Sequence, residues 1–99
     1  MNKRIINAPA PAIVTMLKRR MPSELRSHLD DIRIDAIGLL MLPVADLYFF
    51  ADVASKSASV VVSEIFGNCP QHITTLAIFG EVAAVSEAMR IIERHATSF

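Results

Sequence analysis

Apolar and polar positions along the chain alternate between short extended runs and runs of helical spacing. Lys3 to Ala8 reads as a strand, closed by Pro9 and Pro11, which cannot donate to a ladder. Pro11 suits the first turn of a helix that carries Ile13, Val14, Met16 and Leu17 and reaches about Arg20 before Pro22 stops it. The cations Lys18, Arg19 and Arg20 complement the dipole at that helix end. From Ser23 to Arg33 the chain is polar and charged, which predicts a surface connection with room for one helical turn from Ser23. Residues 23–34 are thus expected to link an N-terminal strand–helix unit, residues 1–22, to a longer block, residues 35–95.

That block opens with Asp35 to Leu42, where Ile37 and the run Leu39 to Leu42 precede Pro43. Such continuous apolarity predicts a central strand covered on at least one face. Val44 to Ala58 has helical spacing, with Val44, Leu47, Tyr48, Ala51, Ser55 and Ala58 on one face and Phe49, Phe50 and Val53 on another. A helix apolar on nearly all sides is expected to be buried on nearly all sides, which requires a neighbouring copy. Ser59 to Phe66, with Val60 to Val62 at its centre, and Ile73 to Phe79 read as two further strands. Gly67 to His72 forms a turn-rich loop between them. Gly80 breaks the last strand, and Glu81 starts a final helix with Val82, Val85, Met89 and Ile92 on one side and Arg90, Arg94 and His95 near its end. The predicted order is β-α, linker, β-α-β-β-α. Two helices over one face of a four-stranded, mainly antiparallel sheet make an α+β sandwich.

Composition sharpens this picture. Ninety-nine residues allow one domain. With 53% hydrophobic and 20% charged residues the chain can bury enough apolar surface to fold, which excludes disorder. It holds more apolar surface than so small a monomer can hide, so an obligate oligomer is expected. Ten Lys plus Arg balance ten Asp plus Glu, which excludes a nucleic-acid binder driven by net charge. No secretory signal is read, because the basic Met1 to Arg4 is followed by only Ile5 and Ile6 before Asn7 and Pro9. No membrane span is read either: Ala36 to Ala45 is broken by Pro43 and bounded by Asp35 and Asp46, short of the roughly 20 residues required.

Candidate chemistry is sparse. The single cysteine, Cys69, excludes an intrachain disulfide and a four-cysteine metal site within one chain, and suits a reducing setting. On its own, a loop cysteine is more often a small residue of no chemical consequence. His72 follows three residues later and raises zinc as a minor alternative, although two ligands per chain are too few. Asp30, Asp31 and Asp35 have no companion histidine, nucleophile or phosphate loop, so they read as solvated charges and no catalytic residue is assigned. Lys56 closes an apolar helix, where a surface lysine complements the dipole.

Beyond these readings, Asp35-Ala36-Ile37-Gly38 at the head of a strand, Ala51-Asp52-Val53-Ala54-Ser55-Lys56-Ser57-Ala58-Ser59-Val60 and Gly80-Glu81-Val82-Ala83-Ala84-Val85 together resemble the shell-protein domain of bacterial microcompartments (BMC). The middle segment is similar to the family's A-D-x-x-x-K-x-A-x-V pattern. Arg4-Ile5-Ile6-Asn7-Ala8-Pro9 looks like the strand that members of ordinary chain order carry near the C-terminus. The chain therefore resembles the circularly permuted class, a relative of ferredoxin-like folds. Gly67-Asn68-Cys69-Pro70-Gln71 resembles the G-x-C-P-Q loop of the GrpU type, a subgroup associated with glycyl-radical-enzyme microcompartments.

The resemblance implies a flat cyclic homohexamer that tiles a cytoplasmic shell beside other shell proteins. It implies that the loop Gly67, Asn68, Cys69, Pro70 and Gln71 surrounds the six-fold axis. It also implies that Lys56 lies at the edge where hexamers meet, and that Cys69 ligates a [4Fe–4S] cluster shared between subunits on the axis. Cyclic symmetry multiplies one thiol per chain, and a Cys-Pro pair recurs in ferredoxin cluster loops. Without the cluster, the alternative is a small-molecule-sensing oligomer of ferredoxin-like kind whose loop binds an anion or metabolite.

Overall fold

The computed structural model describes residues 2–67 and 73–96. Its elements run β1 (Asn2–Asn7), α1 (Pro11–Lys18), α2 (Ser23–Leu29), β2 (Ala36–Pro43), α3 (Val44–Ser57), β3 (Val61–Ile65), β4 (Ile73–Gly80) and α4 (Val82–Ala96). The four strands form one antiparallel sheet in the order β1-β2-β4-β3. Each predicted strand and long helix is present, and the fold is α+β.

Strand geometry sends alternate side chains to opposite faces, and both faces of this sheet are used. Ala36, Leu40 and Leu42 of β2 join Leu76 and Ile78 of β4 beneath α3 and α4, which contribute Leu47, Phe50, Val85, Met89 and Ile92. Ile37, Ala77, Phe79 and Ile65 point the other way, against Met21 and Leu29, with Val14, Leu17 and Leu25 packed around them. Helices therefore cover two faces, not one. The correction comes from the stretch expected to be a surface connection. Ser23–Leu29 form α2, and Met21, Leu25 and Leu29, four residues apart, make a narrow apolar stripe inside an otherwise charged segment. Charge dominates that segment by number; the stripe decides where it packs.

Within the single chain α3 buries only one of its apolar faces. Leu47, Phe50 and Ala54 are buried, whereas Val44, Phe49 and Tyr48 remain 43%, 46% and 61% exposed in the single chain. Tyr48, expected to share the buried face with Leu47, lies outside it. The second aromatic, Phe49, stands edge-on to Phe50 and to His95 of α4.

Two close approaches hold the layers together. A Cβ placed on Gly38 would meet Met89 Sδ at 2.8 Å and Val85 Cγ1 at 3.3 Å, so α4 lies directly on the β2 backbone. At the far end, the Ala8 N–H donates to the Asp35 carbonyl at 2.8 Å and the Asp35 N–H donates to the Gly80 carbonyl at 2.9 Å. This stitches the exit of β1 to the entry of β2 and the end of β4. Ala8 adopts φ 49°, the left-handed region that an L-residue enters at a cost. The Lys3 ammonium pairs with the Glu93 carboxylate, tying β1 to α4.

Two substitutions test this packing by chemical denaturation at fixed protein concentration. Gly38→Val is expected to cost about 1–3 kcal/mol by overpacking, and part of that loss should return when Met89→Ala is added. Ala8→Gly is expected to stabilise by about 0.5–1 kcal/mol, the relief of left-handed strain outweighing the extra freedom of glycine in the unfolded chain.

Candidate functional site

The sheet register decides where the β3–β4 connection emerges. Ile65 pairs with Thr75, Thr75 with Met41, and Met41 with Asn2, so the connection leaves the sheet at the end where β2 finishes and β1 begins. The stem of this connection is gripped from the N-terminal unit. The Phe66 N–H donates to the Arg20 carbonyl at 2.8 Å, and Arg20 Nη1 donates back to the Phe66 carbonyl at 3.2 Å. Both backbone groups of Phe66 are thereby committed to one residue. Sequence reasoning treated Arg20 only as a cation at a helix end; its partner lies 46 residues away, and no local pattern signals it.

Gly67 follows with open space where a side chain would stand. The loop residues Asn68, Cys69, Pro70 and Gln71, together with His72, lie outside the described residues. Among the described residues, no group of three or more His, Cys, Asp or Glu side chains could hold a metal ion. A [4Fe–4S] cluster ordinarily takes four thiolates, and this chain has one cysteine. A single copy does not supply the ligand set.

Near this end the sheet is partly bare. Arg4, Leu39, Leu40, Met41 and Thr75 line a shallow depression. Leu39, Met41 and Thr75 share the face that α1 and α2 cover elsewhere, yet Met41 is 48% exposed. Val44, which opens α3 directly after β2, and Phe66 at the loop stem also expose apolar surface. The chain thus presents half-exposed apolar side chains where its loop begins, a surface of the kind buried at protein interfaces.

Lys56 stands on the last turn of α3, largely solvent-exposed, and its ammonium meets Asp52 Oδ2 at 2.8 Å one turn earlier. The pair is a surface helix pair of small energetic weight. No described contact joins Lys56 to Arg20 or to the loop stem. Two ionisations are displaced on α4, those of Glu87 and Arg90. Arg90 donates to both Glu87 oxygens, at 2.5 and 3.1 Å, and holds the carboxyl below its ordinary range. This solvent-exposed pair, three residues apart on one helix, has the character of a structural ion pair. No described helix is long and apolar enough to cross a membrane.

A protein-family model for the BMC domain matches residues 36–98. The ligand-free structure of the GrpU microcompartment shell protein from Pectobacterium wasabiae is 71% identical, with a TM-score of 0.80, covering 93% of this chain and 99% of that one. The ligand-free GrpU microcompartment shell protein from Clostridiales bacterium 1_7_47FAA is 32% identical, with a TM-score of 0.73, covering 98% of this chain and 93% of that one. A fused permuted hexameric shell protein from the RMM microcompartment shares the fold at a TM-score of 0.70 and 19% identity, over 97% of this chain and 45% of that one. No match was found among curated proteins.

The Arg20 grip is testable without knowing what the loop binds. Arg20→Ala removes the charged donor to Phe66 and is expected to cost about 0.5–1.5 kcal/mol. Native-state hydrogen exchange at Phe66 and Gly67 should quicken relative to that of β4, while Arg20→Lys should show a smaller change. Unaltered exchange in Arg20→Ala would remove the side chain from the stem.

Proposed function

The chain belongs to the BMC domain family, and from that premise we propose that it is a structural tile of a microcompartment shell, of the GrpU type, whose copies close into hexamers. The observation that carries this reading is 71% identity to a GrpU microcompartment shell protein over 93% of the chain. The bare apolar surface of the single copy supports assembly, because Met41, Val44, Tyr48 and Phe66 are 43–61% exposed and gain most by meeting another copy. In this reading the chain is not an enzyme, works in the shell, and has other shell proteins as its partners. Family membership favours this role over a ligand-sensing ferredoxin-like module.

Lys56 is assigned to the edge where hexamers meet. Its exposure at the end of α3 supports that placement, because the stem can cover apolar surface while the ammonium finds carbonyls.

The cluster is a property proposed for the assembly, never for one chain. The resemblance of Gly67 to Gln71 to the GrpU-type loop supports it, together with the presence of one cysteine per copy, which rotation about an axis would multiply. Bound there, an iron–sulfur cluster would supply one-electron redox chemistry or close the pore.

Electron microscopy tests the tile. Wild-type protein should form hexagonal sheets, and Lys56→Asp should abolish the sheets while leaving assembly size by gel filtration unchanged; loss of the assembly itself would place Lys56 elsewhere. Cys69→Ser tests the cluster in protein purified anaerobically. Iron, sulfide and broad visible absorbance should disappear together while assembly size stays constant. A Cys69→Ser protein that retains a full cluster would remove Cys69 as its ligand and make His72 the next residue to change.

A further inference from the structure

Seven of the ten Lys and Arg residues lie in residues 1–34, against three of the ten Asp and Glu. The cations of the α1–α2 layer differ in what they already hold. Lys18 is paired with Asp30 at 3.2 Å. Arg19, Arg20 and Arg26 are exposed and make no ion pair with any described residue. Arg20 commits one nitrogen, Nη1, to the Phe66 carbonyl.

Arg19 and Arg20 follow Met16 by three and four residues, so the three side chains share one side of the last turn of α1. Together they line a surface depression of about 330 Å³, and no acidic side chain among the described residues lines it. Met16 is 59% exposed there. Cations at a helix C-terminus ordinarily serve its free carbonyls. Here the backbone already does so. The Arg19 N–H donates to the Thr15 carbonyl at 3.3 Å, the Arg20 N–H to that of Leu17 at 3.0 Å, and the Met21 N–H to that of Lys18 at 3.3 Å. Apart from the Phe66 contact, the two guanidinium groups keep their donors for something else.

We propose that this depression binds a small phosphate monoester, with the phosphate held between Arg19 and Arg20 and the organic group lying on Met16. Charge and shape select the ligand. A planar guanidinium presents paired N–H donors that match phosphate oxygens. Two such cations with no carboxylate between them favour a dianion, and a phosphate monoester carries close to two charges at neutral pH. A carboxylate, with a single charge and one pair of oxygens, leaves one of the two forks without a partner. The methionine side chain supplies an adaptable apolar surface for the organic group. Arg20 also joins the site to the loop. Because it holds the Phe66 carbonyl, a ligand that fixes its guanidinium steadies the stem of the β3–β4 connection. The site lies within one chain and does not depend on the assembly reading.

Isothermal titration calorimetry with phenyl phosphate, inorganic phosphate and benzoate, at ionic strength held constant with NaCl, tests the site. Wild type should bind both phosphates, phenyl phosphate about threefold more tightly because its ring covers Met16. Arg19→Ala and Arg20→Ala, each first confirmed as folded by circular dichroism, should weaken phenyl phosphate about fivefold. Arg26→Ala removes an exposed cation outside the depression and should bind as wild type does. Met16→Ala should erase the preference for phenyl phosphate. In hydrogen–deuterium exchange, phenyl phosphate should slow the Phe66 amide in wild type and leave it unchanged in Arg20→Ala. A wild type that binds neither phosphate, an Arg26→Ala loss equal to that of Arg19→Ala, or benzoate bound as tightly as phenyl phosphate would each overturn the site. Equal affinity for the two phosphates would make free phosphate the ligand and overturn the role of Met16. Unaltered exchange at Phe66 would overturn the link to the loop.

Discussion

The pairing of β2 with β4 is the constraint on which the rest depends. Eight residue pairs, from Ala36 opposite Gly80 to Pro43 opposite Ile73, form the centre of the sheet. Both strands are covered on their two faces along most of their length, so almost every position must be apolar. Parity then assigns Leu40, Leu42 and Leu76 to the α3–α4 layer and Ile37, Ala77 and Phe79 to the α1–α2 layer. Neither layer can leave without exposing large side chains, each worth about 1.5–3 kcal/mol of burial. The same strand pair sets the ends of the molecule. At one end Ala8, Asp35 and Gly80 are stitched backbone to backbone; at the other the stem of the β3–β4 connection meets Arg20.

Much of this was legible from residue order, for physical reasons that differ by element. β2 announced itself because a doubly covered strand has no polar positions to interrupt it. α4 was legible because Val85, Met89 and Ile92 recur at helical spacing against charged partners. The second helical layer was less visible: Met21, Leu25 and Leu29 form a stripe one residue wide, and the charges between them dominate any window average. α3 is a different case. Its apolar residues on the outer side, Val44, Tyr48 and Phe49, were expected to be buried against a neighbouring copy, and in the single chain they stay exposed. The grip of Arg20 on Phe66 was invisible because it joins residues far apart through backbone groups, whose identity leaves no trace in side-chain pattern.

The N-terminal unit emerges as a working layer of the fold. The family model begins at Ala36, so β1, α1 and α2 precede the matched domain. Yet β1 supplies an edge of the sheet, α1 and α2 seal its second face, and the residues after α1 hold the loop stem. The N-terminal position of this unit matters beyond topology. It gathers the sheet edge, the stem clamp and most of the positive charge into one continuous segment.

The proposed shell role requires that the half-exposed aromatic and aliphatic side chains of the single chain meet further copies. Native mass spectrometry of wild-type protein at micromolar concentration measures this directly. The account predicts one dominant species of six copies; a stable monomer as the dominant species would contradict it.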